Sequence, residues 1–128
     1  MAAKEAGQVI EHFTTLFNSG DLEGLMRDLY EDDAVLIPEP GAAPASGKAA
    51  IREALQGFLD LKGTMMVVAT TDVVKGDIGL THTRWRLDIP GGEAMEAVTA
   101  EVVRRQSDGT WKYAIDNPWG GAILDVGA

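Results

Sequence analysis

The chain has no cysteine among its 128 residues, which excludes disulfides, thiol catalysis and cysteine-ligated zinc. Histidine is scarce too: His12 and His82 stand far apart in sequence, so no metal-binding set is expected. Basic residues are few, 11 Lys and Arg against 20 Asp and Glu, giving a net charge of −9. That balance argues against nucleic acid and against anionic membrane surfaces, because both must be met by Lys and Arg. No apolar run approaches the roughly 18 residues that span a bilayer. The opening M-A-A-K-E-A-G-Q lacks the apolar core of a signal peptide, so a cytoplasmic location is expected. No glycine-rich phosphate loop opens a helix, and no serine sits in a nucleophile elbow. No cofactor is expected.

What is present is ordinary for a globular domain: 45% hydrophobic and 24% charged residues. The length suits one domain, 1–128. Val9, Ile10, Phe13, Leu16 and Phe17 recur at helical spacing and predict an amphipathic helix over 4–19. Gly20 suits the left-handed position after it. Asp21 can cap a second helix carrying Leu22, Leu25, Met26 and Leu29 on one face. The acidic cluster Glu31-Asp32-Asp33 reads as a solvated loop closing that helix. Ala34 to Ile37 fits a short strand, and the proline-rich stretch 38–44 fits a stiff loop of the kind that rims a pocket. Ser46-Gly47 opens a third helix bearing Ile51, Ala54, Leu55, Phe58 and Leu59. Beyond Gly63 the period changes. Met65 to Val74, Ile78 to Ile89 and Glu93 to Gln106 read as three long strands joined by tight turns. Helices first and a meander of strands after them predict an α+β layout, with the helices on one face of a curved antiparallel sheet.

The fourth long strand anchors the reading. Asp108-Gly109 is a tight-turn pair. Trp111, Tyr113 and Ile115 then alternate with Lys112, Ala114 and Asp116, one register large and apolar, the other ending in a carboxylate. Asn117-Pro118 stops the strand. Asp116 therefore either faces a cavity beside the small Ala114 or makes an Asx turn before Pro118.

Five phrases resemble the nuclear transport factor 2-like superfamily, in its SnoaL-like and ketosteroid isomerase-like branch. They are Asn18-Ser19-Gly20-Asp21-Leu22, Glu31-Asp32-Asp33-Ala34, Ser46-Gly47-Lys48-Ala49-Ala50-Ile51-Arg52, residues 104–111 (R-R-Q-S-D-G-T-W), and Ile115-Asp116-Asn117-Pro118. The resemblance implies a cone-shaped sheet wrapped around the helices, a cavity open at one end, and a homodimer built through the convex face. It does not carry over the isomerase's chemistry intact. The position of that family's catalytic base holds Pro38, with Glu39 beside it, and the position of its helix tyrosine holds Phe13. Only the position of its protonated aspartate keeps an acid, Glu101. The SnoaL-like branch places an acid deep in the cavity, and Asp116 is the candidate for that role. The same resemblance implies a cavity register of Thr81, Thr83, Trp85 and Leu87, then Ala97, Thr99, Glu101 and Val103, then Ala114 and Asp116. Phe13 and Phe17 belong to the expected ligand-binding wall and Pro38 to its rim, while Trp119, beside the expected cavity mouth, is a lid over the ligand or a dimer contact.

Glu101 and Asp116 have two readings. Two buried acids in reach of one another cannot easily both ionise, and sharing one proton makes an acid–base pair for enolisation or dehydration. Alternatively Glu101 forms a cross-strand ion pair with Arg84, Arg86 or Arg104. Two functions of different class follow. One is a cofactor-free isomerase, cyclase or dehydratase acting on a small apolar carbonyl compound. The other is a non-catalytic ligand-binding or dimeric interaction domain. A homodimer is expected on physical grounds as well, since three helices cover only one face of a four-stranded meander. Val68, Val98 and Val102 lie in the registers left over.

Overall fold

A computed structural model of the chain describes residues 1–120; the last eight positions of the expected 1–128 domain lie outside the described residues. Helix α1 runs Gln8–Asn18 and α2 Leu22–Leu29. Between them Gly20 takes a left-handed φ of 73°, as a chain reversing directly after a helix requires. The Asp21 side chain accepts from the Gly24 N–H at 2.9 Å and caps α2. Helix α1 starts four residues later than its periodicity predicts. Residues before Gly7 are drawn off instead into a bridge, the Trp111 N–H donating to the Ala3 carbonyl at 2.8 Å.

Strand β1 (Tyr30–Leu36) follows α2 without a loop. The acidic cluster expected to be a loop is therefore part of a strand. Tertiary pairing explains the difference. Glu31 meets the Arg104 guanidinium at 3.0 Å and the Gln106 amide at 2.8 Å, while Asp32 and Asp33 stay exposed. A short β2 (Ala45–Ser46) pairs with β1 and leads into α3 (Lys48–Asp60).

Strands β3 (Thr64–Lys75), β4 (Ile78–Asp88), β5 (Met95–Val98), β6 (Ala100–Arg105) and β7 (Trp111–Asn117) complete a curved, unclosed sheet ordered β2-β1-β7-β6-β4-β3, with β5 also on β4. All pairs are antiparallel except β1 with β7. β4 alternates buried and exposed almost without fault, placing Thr81, Thr83, Trp85 and Leu87 inward and His82 and Arg84 outward. The helices cover the inner face. The Asn18 side chain ties the end of α1 to β3, bonding both the N–H (2.7 Å) and the carbonyl (2.9 Å) of Met65.

Two local departures from regular strand geometry shape the interior. The expected single strand 93–106 is broken at Thr99, although its register against β4 continues unchanged on both sides. The Thr99 N–H donates to the Thr83 carbonyl, but the Thr83 N–H is taken by the Thr99 hydroxyl, both at 2.8 Å. A side chain has replaced a backbone acceptor in the ladder. In β7 the departure is a bulge. Val102 faces Ile115 and Val103 faces Tyr113, leaving Ala114 as the extra residue.

Candidate functional site

The bulge decides which side chains reach the interior. Strict alternation groups Tyr113 with Ile115 and Ala114 with Asp116. With one residue inserted, Tyr113 and Asp116 both face inward and line the cavity, while Ile115 points out, 46% exposed. Ala114 is buried but lies outside the cavity lining. The wall role expected of it belongs to Tyr113.

The cavity lies between α1, α3 and the inner face of the sheet. Ile10, Phe13 and Phe17 come from α1, Leu55 and Phe58 from α3, Leu36 from β1, Met65 from β3 and Trp85 from β4, with Pro118 beyond β7. Its polar groups are Thr99, Glu101, Tyr113 and Asp116. No Lys, Arg or His lines it among the described residues. It is narrow, about 40 Å³.

Of the expected binding residues, Phe13, Phe17, Trp85 and Thr99 stand in this lining. Thr83 is buried but outside the lining, its hydroxyl 3.1 Å from that of Thr70. Pro38 is half-buried and outside the lining, and Pro118 contributes there instead. Trp119 also lies outside it. Its ring packs edge-on to Trp85 (5.4 Å) and against Phe58 (6.1 Å), bracing both from behind. The Pro118 carbonyl accepts from the Trp85 indole N–H at 2.9 Å, fixing that ring.

Glu101 and Asp116 are directly opposed on β6 and β7, a pairing that puts Cβ atoms about 4.5–5.5 Å apart. Both are buried, at 3% and 4% exposure. The ion-pair reading of Glu101 fails, because Arg104 and Arg86 are turned outward to Glu31, Asp88 and Glu96. Glu101 is held instead by hydroxyls. Thr99 donates to its Oε1 at 2.7 Å and Thr81 donates to the same oxygen at 3.1 Å. The Asx-turn reading of Asp116 fails as well. Asn117 makes that turn, its Oδ1 accepting from the Trp119 N–H at 3.1 Å. Asp116 accepts at Oδ2 from the Tyr30 phenol at 2.5 Å.

Burial drives both carboxyls up. Glu101 is pushed to about 8 by desolvation and then by the Asp116 charge, against the pull of Thr99, Thr81 and the Tyr113 hydroxyl. Asp116 rises to about 6 through desolvation, held back by the Tyr30 phenol and then by a hydrogen bond with Glu101. Near neutral pH the two raised carboxyls, opposed in one dry pocket, share a single proton. Burial and the neighbouring carboxylates keep both phenols, Tyr30 and Tyr113, protonated far above their usual range.

Tyr30 had no signature in the sequence. Its partner is 86 positions away, and only the parallel β1–β7 pairing joins them. Tyr113 was visible only as an apolar strand residue.

A match to the SnoaL-like domain family spans residues 10–114, most of the chain. The chain belongs to that family. This SnoaL-like chain also resembles solved structures, two of them described as nuclear transport factor 2-like. A protein of unknown function from Pseudomonas putida shares 23% identity over 86% of this chain and 80% of its own, with a TM-score of 0.73. A protein from Streptomyces avermitilis, provisionally described as a dehydratase, shares 18% identity over 90% and 92%, at 0.74. A third, from Thiobacillus denitrificans, is provisionally described as a calcium/calmodulin-dependent protein kinase II association domain; it shares 21% identity over 92% and 98%, at 0.76. Such distant identities establish the fold of the SnoaL-like chain, and the chemistry rests on its own side chains.

Proposed function

We propose that the cavity is the active site of a cofactor-free enzyme performing acid–base chemistry, an isomerase, cyclase or dehydratase, on a small uncharged carbonyl compound. The observation carrying this reading is the pair of buried carboxyls facing one apolar cavity from directly opposed positions on neighbouring strands. Asp116, ionised, takes a proton from the carbon next to the carbonyl. Glu101, protonated, donates to the oxygen on which the electrons accumulate. For isomerisation the proton returns to a different carbon. For dehydration the bond to a β-hydroxyl breaks and the Glu101 proton leaves with it as water. Asp116 is then protonated and Glu101 ionised, and transfer between them resets the pair. The similar Streptomyces protein's description as a dehydratase favours the second course. Apolar walls and a buried negative charge with no cationic side chain in the lining disfavour anionic substrates.

The test is hydrogen–deuterium exchange at the α-carbon of small uncharged ketones and aldehydes, cyclohexanone among them, followed by NMR in D₂O. Mass spectrometry of ligands retained on native purification selects further compounds for the panel. Wild-type protein should accelerate exchange, and Asp116→Asn should remove about 10² to 10⁴-fold of that rate. Exchange no faster than buffer across the panel, or equal in the two proteins, overturns the proposal.

A second reading, association between copies of the chain, has its own support. Val73, Leu80, Val102 and Ile115 are successive cross-strand partners on the outer face of β3, β4, β6 and β7. Val73, Leu80 and Ile115 are largely exposed. Such an apolar row suits a homodimer interface.

A further inference from the structure

We propose that Thr99 and Thr81 are positioning residues that confine the proton of the carboxyl pair to one oxygen, Oε2 of Glu101, and so leave that atom as the single acid facing Asp116. The inference rests on the acid–base reading above and adds to it which atoms act and what orients them.

A threonine hydroxyl has one hydrogen to give and two lone pairs. The Thr83 backbone N–H donates to Thr99 Oγ1 at 2.8 Å. This contact, made possible by the break between β5 and β6, fixes the hydroxyl as an acceptor on that side. Its own hydrogen must then go elsewhere, and Glu101 Oε1 at 2.7 Å is its acceptor. Thr81, directly across on β4, gives its hydrogen to the same oxygen at 3.1 Å. Were the carboxyl proton on Oε1, that oxygen would be a poorer acceptor and could not keep both threonine hydrogens, and an unsatisfied buried donor is costly. Oε2 receives neither threonine; the Tyr113 hydroxyl is the other donor that faces this carboxyl. The relay therefore runs from backbone to acid: Thr83 N–H to Thr99, Thr99 to Oε1, with the mobile proton left on Oε2.

Asp116 is ordered in the matching way. Tyr30 occupies Oδ2, so Oδ1 is the oxygen left to act as base. The ionisable groups facing Glu101 are Tyr113 and Asp116 of β7, with Tyr30 of β1 behind them; no basic side chain lines the cavity among the described residues. The substrate class sharpens accordingly. It must offer an acceptor oxygen to Oε2 and an acidic C–H to Oδ1 within one small fragment, as an enolisable ketone, aldehyde or ester does.

Two measurements test the relay without any substrate. Neutron diffraction of deuterated crystals near pH 7 should place deuterium on Oε2 of Glu101; deuterium on Oε1 overturns the proposal. Carboxyl carbon NMR titration should show the Glu101 step rising by about one pH unit or more in Thr99→Val, since a donor to the ionised form is lost. Thr99→Ser, which keeps the hydroxyl, should restore the wild-type value. An unchanged step in Thr99→Val, or a serine variant shifted as far as the valine one, overturns the relay. If Thr99→Val does not fold, Thr81→Val decides: a rise supports the relay and no change overturns it. The two proposals fail separately. A raised wild-type pair with no catalysed exchange counts against catalysis alone, and a raised pair indifferent to both threonines counts against the relay alone.

Discussion

Asp116→Asn should stabilise the fold at neutral pH while abolishing activity. In the folded protein the Asp116 carboxyl is raised from 3.8 to about 6, chiefly by desolvation. A carboxyl with a raised folded-state pKa binds its proton more tightly folded than unfolded. Stability is therefore full below the unfolded pKa and is lost as pH rises toward the folded one. About two pH units correspond to about 3 kcal/mol lost between pH 4 and pH 7. Glu101, raised from 4.5 to about 8, prolongs the decline to pH 8. Asparagine keeps the shape and can still accept from Tyr30, but it removes the buried charge. It also removes the second cause of the Glu101 shift. The variant should match the wild type near pH 4 and exceed it by about 2 to 3 kcal/mol at pH 7, the usual opposition between function and stability at a buried charged site. Urea denaturation of both proteins from pH 4 to 8.5 measures this directly, and the difference between them cancels the surface charges. A variant less stable at pH 7, or a difference that does not change with pH, would refute the reasoning.

Tyr30→Phe removes one hydroxyl from a fully buried ring. The lower step of the pair should move up by about one pH unit, because the lost donor favoured ionised Asp116. Carboxyl NMR reads the shift, and an unmoved step would show that the phenol does not hold the carboxylate. For assembly, light scattering at micromolar concentration should give a dimer mass, and Leu80→Asp in the middle of the outer apolar row should give a monomer; a monomeric wild type counts against the interface.

Much of the fold was legible in residue spacing. The three helices, the long β3 and β4 and the turn at Asp108-Gly109 follow from apolar periodicity and turn chemistry, which act over a few residues. Glu101 and Asp116 were legible as candidates because an acid within an inward register of a strand is conspicuous. The place of Glu31-Asp32-Asp33 was not, since a strand there depends on β7 arriving alongside and on Arg104 meeting Glu31. The inward turn of Tyr113 was not either. A single inserted residue reverses every side chain beyond it, and nothing in the alternation of 111–116 marks Ala114 as that residue.

The sequence by itself determined periods and charges: where the three helices and the long strands run, that acids outnumber basic residues 20 to 11, and that two acids lie in β strands. Tertiary structure alone decided their chemistry. A carboxyl exposed on a strand is an ordinary surface acid. The same group, opposite a second carboxyl and cut off from water by Phe13, Phe17 and Trp85, must share a proton. Desolvation is a property of everything packed around a group, and no local stretch of sequence contains it.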